Sequence, residues 1–99
     1  MMQELNQIVV LYAKPGREVA LRRNLAALVA PSRQERGNLR YEAYADAGDP
    51  RRFVFIERWA DPEAQQQHHN FSEHIRHFHE TGDADVERRE LFYVLEPIA

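Results

Sequence analysis

The sequence predicts an α+β chain in which four strands and two helical stretches follow the order β, α, β, β, α, β. Three observations predict it. Runs rich in β-branched and aromatic residues at 7–13, 39–45, 53–59 and 91–96 alternate with stretches whose apolar residues recur at helical spacing. The second and third runs are joined by Asp46-Ala47-Gly48-Asp49-Pro50, a turn-forming segment that suits an antiparallel hairpin. The strands are also apolar at odd and even positions alike, so both sheet faces need cover. This element order is the split βαβ, or ferredoxin-like, arrangement: a four-stranded antiparallel sheet with helices on one face.

The first strand, Gln7 to Ala13, stops at the breaker Lys14-Pro15-Gly16. From Arg17 to Ala30 the spacing of Leu21, Leu25 and Leu28, joined by Val29, predicts a helix that Pro31 ends. Gly37 opens the second strand, Leu39 to Ala45, and Phe53 to Trp59 is its hairpin partner. Asp61-Pro62-Glu63 is a strong helix start, because Asp can cap, Pro suits the first turn and Glu complements the helix dipole. Ser72 offers a second cap, and Phe71, Ile75 and Phe78 form a stripe for a further short helix over 72–80, closed by Gly82. The last strand is Leu91 to Glu96.

Ninety-nine residues suit one domain over 1–99 with a modest core, and the absence of Cys excludes disulfides and thiolate-bound metals. A formal net charge of -3 with scattered arginines argues against a nucleic-acid partner. The apolar run VVLYA is far too short to span a bilayer and lacks a basic segment before it, so neither membrane nor secretion is expected and a cytoplasmic location is the default. Ile8, Val10 and Tyr12 oppose Val9, Leu11 and Ala13 on the first strand, and no residues remain to bury a second sheet face. A homodimer with sheets face to face is the expected solution, since two-fold pairing uses the same patch twice.

All five histidines, His68, His69, His74, His77 and His79, lie within residues 65–80 and straddle the expected break between the two helical pieces. His74 and His77, three apart with Glu73 or Glu80 nearby, could share a helix face toward a metal, but the spacing lacks any His-Glu-x-x-His signature and no metal is expected.

The segments LVAPSRQERGNLRYEAY and DPRRFVFIERWADPEA, followed by the histidine-bearing stretch, resemble the antibiotic biosynthesis monooxygenase family of dimeric α+β barrels. The matching residues run from Pro31, Ser32, Glu35, Gly37, Leu39, Tyr41 and Glu42 through Phe53, Glu57, Trp59, Glu63 and Ala64 to His68 or His69, Ser72 and His74. Two departures stand out: Gln65-Gln66-Gln67 follows Ala64 where a leucine is usual, and one extra residue before Ser72 leaves the family histidine at either His68 or His69. Asn38 stands where many relatives carry Cys.

The resemblance implies oxidation of a small quinol-like or polyketide-like aromatic by O2, without metal, flavin or haem cofactor. The physical requirement is to bind a flat apolar molecule, remove a proton and exclude water. Histidine suits the proton step. The candidates are His69, His68 and His74 as base or hydrogen-bond partner, with Tyr12, Tyr41, Phe55 and Trp59 as pocket walls; His77 and His79 fall outside the pattern and are expected in solvent. Trp59, at a strand end, suits a core better than a substrate stack, and Tyr12 and Tyr41 equally suit a core or dimer seam.

Three other readings stand beside this one. The resemblance extends to haem-degrading oxygenases among related dimeric barrels, which imply an axial His on the second helix, an Asn on the first strand and a Trp on the helix, but here Asn6 is expected before the strand and the matching helix position carries His68. An isomerase of a small phosphorylated ketone would need an anion site, for which Arg40, Arg51, Arg52 and Arg58 are scattered candidates. A non-catalytic dimer that binds a small molecule would need no chemistry at all.

Overall fold

The computed structural model describes residues 3–99. The first strand, β1 (Leu5–Ala13), leads to α1 (Glu18–Ala26) and the one-turn α2 (Val29–Arg33). The hairpin strands are β2 (Asn38–Asp46) and β3 (Asp49–Trp59), followed by α3 (Pro62–Phe71), α4 (Glu73–Thr81), a 3-10 turn at Asp83–Asp85 and β4 (Val86–Leu95). The sheet is antiparallel and open, in the order β2-β3-β1-β4. This is the expected ferredoxin-like α+β fold, and the single chain does not close a barrel by itself.

Several boundaries differ from expectation for identifiable reasons. Pro31 does not end the first helix; α1 stops at Ala26, and Pro31 is the third residue of α2, where its missing N–H has no intrahelical acceptor to lose. β4 begins at Val86 rather than Leu91, because its charged first half pairs with β1 as a sheet edge, where no apolar alternation is required. Phe71 leaves the expected stripe and is 73% exposed, whereas Ile75 and Phe78 are buried as expected. β1 starts at Leu5, so Asn6 lies inside the strand rather than before it.

The core sits between one sheet face and the helices. Leu21, Leu25 and Leu28 pack there against Ala13, Phe53 and Phe55, with Trp59 fully buried. The register fixes what shares that face: Gln7 opposes Glu57, Val9 opposes Phe55 and Leu11 opposes Phe53, since alternate residues of a strand point the same way. The other face carries Ile8, Val10, Tyr12, Val54, Ile56 and Tyr93. Among the described residues no helix covers it, and Tyr44, Tyr93 and Leu95 are about half exposed, at 50%, 57% and 45%.

Two local devices position α3. Asp61 caps it, its Oδ1 accepting from the Ala64 N–H at 2.8 Å with Pro62 in the first turn. Gly37, at φ 82°, lets the loop before β2 press against the same helix; its carbonyl accepts from Ala60 N–H at 2.7 Å, and a Cβ there would stand 2.5 Å from the Ala64 Cβ. That close approach brings the Glu35 loop alongside α3.

Candidate active site

A cavity of about 590 Å³ opens between the helix-covered sheet face and α1, α3 and α4. Its walls are mostly apolar, including Val9, Leu25, Leu28, Phe55, Ile75 and Phe78. A few polar groups converge on it, as in small-molecule sites generally. At the end nearest Trp59 these are Gln7, Tyr41, Glu57 and His68; His69, His79, Asp83 and Arg89 stand among the others.

His68 projects from α3 and is 4% exposed, its ring centroid 4.7 Å from that of Trp59 and 5.3 Å from that of Tyr41. Its Nδ1 lies 2.6 Å from Glu35 Oε1. Glu35 is a hub: His74 Nε2 reaches the same oxygen at 2.9 Å, and the Ser72 hydroxyl donates to Oε2 at 2.5 Å. His74 Nε2 is also 3.0 Å from the Ser32 hydroxyl. Burial pushes the Glu35 carboxyl up, but the hydrogen bonds from His68 and Ser72 and the charges of His68 and His74 outweigh it and hold it below the ordinary carboxylate range.

The tautomer follows from that charge. An ionised carboxylate only accepts, so His68 Nδ1 must carry the proton. In the neutral ring Nε2 then holds the lone pair, and no hydrogen bond among the described residues engages it. A carboxylate fixing one imidazole nitrogen so that the other can take a proton is the arrangement general bases use.

A second carboxyl faces the same space. Glu57 on β3 is 6% exposed; its Oε1 accepts from Gln7 Nε2 at 3.1 Å and from Trp59 Nε1 at 3.0 Å. Burial pushes this carboxyl up, against the lowering effect of the Trp59 bond, the His68 charge and the Gln7 bond. Burial also raises the Tyr41 phenol, helped by the charge of Glu57.

The expected site residues therefore divide. His68, His69, Tyr41 and Phe55 line the cavity, with His68 buried and His69, one residue on, exposed at its edge. His74 does not line it and instead braces Glu35. Trp59 lies behind the wall, fully buried, and meets the cavity lining through its bond to Glu57 and its ring against His68. Tyr12 was expected as a wall, but it lies on the opposite sheet face, bonded to Asp49 at 2.7 Å and bracketed by Arg51, Arg52 and Arg88. An even position on β1 cannot share the odd-numbered face of Gln7, Val9 and Leu11. His77 is exposed as expected; His79 is exposed too but also borders the cavity, its Nδ1 2.9 Å from Asp83 Oδ2.

Glu35, Glu57 and Gln7 were missed as site residues. A signal for Glu57 was present: in Phe53-x-Phe55-x-Glu57-x-Trp59 the carboxyl shares one strand face with three aromatic side chains. The set that could hold a metal is Glu35, His68 and His74, whose ligand atoms lie within 4.8 Å of one another, not the His74–His77 pair; here its members are bonded to one another. Asn6, sharing the even-numbered face with Ile8, points away from His68, so the two cannot serve one haem pocket. Arg40, Arg51, Arg52 and Arg58 pair with Glu42, Glu87, Glu90 and Glu4 respectively, and none lines the cavity.

The family model for antibiotic biosynthesis monooxygenase matches residues 5–81. The chain belongs to this family. YcnE of Bacillus subtilis (strain 168), a monooxygenase candidate by name, is 33% identical over 84 residues, covering 79% of this chain and 87% of that one. The crystal structure of PA3566 from Pseudomonas aeruginosa has 37% identity and a TM-score of 0.92, covering 100% of this chain and 99% of the other. That of Rv0793 from Mycobacterium tuberculosis has 26% identity and a TM-score of 0.86 over 98% and 97% of the two chains. Among the described residues no helix is long and apolar enough to cross a membrane.

Proposed function

We propose that the protein is a cofactor-independent monooxygenase that oxidises a small quinol-like or polyketide-like aromatic with O2. The observation that carries the reading is His68: an imidazole held at Nδ1 by Glu35, lining an apolar cavity, with Nε2 left to take a proton. With a hydroquinone, His68 removes the phenolic proton and the anion supplies electrons to O2. A C–O bond forms at the ring carbon, giving a hydroperoxide that receives the proton back. Loss of the ring C–H proton and of the distal oxygen as water breaks the O–O bond. The balance is one hydroquinone and one O2 giving one hydroxyquinone and one water. The phenolate is itself the reductant, so this chemistry asks of the protein a base, a dry cavity and orientation.

The partner in this reading is a second copy of the chain, laid on the open face around Ile8, Val10, Ile56 and Tyr93. Sedimentation at micromolar concentration is expected to show a dimer, and a stable monomer would refute it. The enzymatic reading is tested with an oxygen electrode, using metal-free protein and a panel of hydroquinones, naphthoquinols and anthrones. Uptake that persists in chelator supports it. Uptake that vanishes with chelator, or no uptake with any compound, rejects it in favour of metal chemistry or simple binding.

A further inference from the structure

The carboxyl of Glu57 has no part in the proton step above, yet it is built into the same end of the cavity. Its two oxygens are treated differently. Oε1 accepts from both Gln7 Nε2 and Trp59 Nε1, which fills its two lone-pair directions. Oε2 has no hydrogen bond among the described residues, and it is not sealed from solvent-sized space, since Glu18 Oε2 alone is a buried side-chain oxygen or nitrogen without a partner there. Glu57 lines the cavity, so Oε2 is the atom it presents to a ligand. The clamp also decides where a proton can sit: two donors on Oε1 leave only Oε2 to carry it.

We propose that Glu57 works as a neutral carboxylic acid, donating from Oε2 to the substrate oxygen that gains negative charge when His68 removes a proton. The proposal rests on the phenolic reading of the cavity and adds a second catalytic residue to it. A preorganised donor in a water-poor site stabilises a developing oxyanion more than it stabilises the neutral substrate, which is the difference that lowers a barrier. Burial, which disfavours the carboxylate, outweighs the Trp59 and Gln7 bonds and the histidine charges that favour it, and an aromatic ligand that displaces water would disfavour the carboxylate further. The titratable groups facing Glu57 are Tyr41 from β2 and His68 and His69 from α3, while β1 presents the uncharged Gln7.

The test uses 4-nitrophenol, whose neutral and anionic forms absorb at different wavelengths, bound to the full-length protein and to the variants Glu57→Gln and Glu57→Leu. Gln keeps an acceptor for Trp59 and Gln7 and places an N–H2 where the acid proton would be; Leu offers neither. Wild type and Glu57→Gln are expected to bind the phenolate with similar affinity at mildly acidic pH, and Glu57→Leu to bind it about tenfold or more weakly. As pH rises, wild type should lose phenolate affinity when its acid proton leaves, whereas Glu57→Gln should not. Thermal melts of the variants separate this pattern from simple unfolding. If Glu57→Gln fails like Glu57→Leu, or if Glu57→Leu binds as wild type does, the donor role is overturned. The wild-type, Gln and Leu order with no oxygen uptake would reject the oxygenase reading alone and uphold the donor.

Discussion

The two faces of the sheet carry similar side chains in opposite circumstances. On the open face, Tyr12 donates to Asp49, Arg52 bridges Asp46 and Glu90, and Arg40 pairs with Glu42, at half-buried to exposed positions that no helix covers. On the helix-covered face, Glu57, His68 and Tyr41 are buried beside the apolar cavity walls, with half-buried Glu35 behind His68. Exposed pairs exchange protein partners for water at little net gain, whereas enclosed groups keep only the partners the fold supplies. Among the carboxyls, Asp46 and Asp49 are lowered by hydrogen bonds to backbone, Tyr and Arg, and half-buried Glu35 is lowered by His68 and Ser72, while the buried Glu57 is raised by burial. The proposed chemistry therefore belongs to the sparse, enclosed set rather than to the dense display of charge on the open face.

The largest expected effect of breaking this contrast is at His68. His68→Ala should lower turnover of any oxidised quinol by about a hundredfold to ten-thousandfold, the usual worth of a positioned general base. His77→Ala, on the solvent side of α4, should leave turnover unchanged. Steady-state oxygen uptake measures both, and equal losses would show that the enclosed histidine has no special part.

Glu35→Gln should follow in size. The amide can still accept from His68 but no longer imposes one tautomer by charge, so turnover should fall while the cavity still binds ligand. Losing a charged acceptor for three donors should also cost about 1–3 kcal/mol in denaturant melts near neutral pH. Because the folded state holds this carboxyl below its unfolded value, its contribution is present above the unfolded carboxylate pKa and is lost as pH falls through the folded one. Wild type should therefore approach Glu35→Gln in stability as the solution is acidified, and a constant gap down to pH 2 would contradict the assignment.

Much of the fold was legible because it depends on local signals. Asp61-Pro62 marked the start of α3, and Leu21, Leu25 and Leu28 marked the buried side of α1. The face of each strand was not legible, because both faces of β1 are apolar; hence Tyr12 was placed with Tyr41 and Phe55 when only the helices decide which face is enclosed. The Glu35 hub was hidden for another reason: its partners lie 33, 37 and 39 residues away, and only the loop pressed in by Gly37 brings them together. The choice between His68 and His69 needed that same long-range partner, since adjacent helical residues differ by a turn of about 100° that spacing alone cannot anchor.

Gly37→Ala probes that support with a smaller effect. The residue sits at positive φ with the Ala64 Cβ in its path, so a methyl group must both strain the backbone and push α3 away, at about 1–3 kcal/mol. If α3 moves, the His68–Glu35 contact lengthens and turnover falls along with the melting midpoint. A stability loss with unchanged turnover would mean that the contact survives by shifting the loop and helix together.

The smallest effect is expected on the open face. Tyr12→Phe removes the hydroxyl that donates to Asp49 but keeps the ring that Arg51, Arg52 and Arg88 bracket. Asp49 also accepts from the Arg51 backbone and lies near the Arg52 guanidinium, so its charge stays compensated and water replaces the lost donor. Ligand affinity and oxygen uptake should match wild type, and the melting midpoint should barely move. A marked loss of turnover in Tyr12→Phe would place the chemistry on the wrong side of the sheet. It would point instead to a site built on the open face, where a second copy of the chain is proposed to dock.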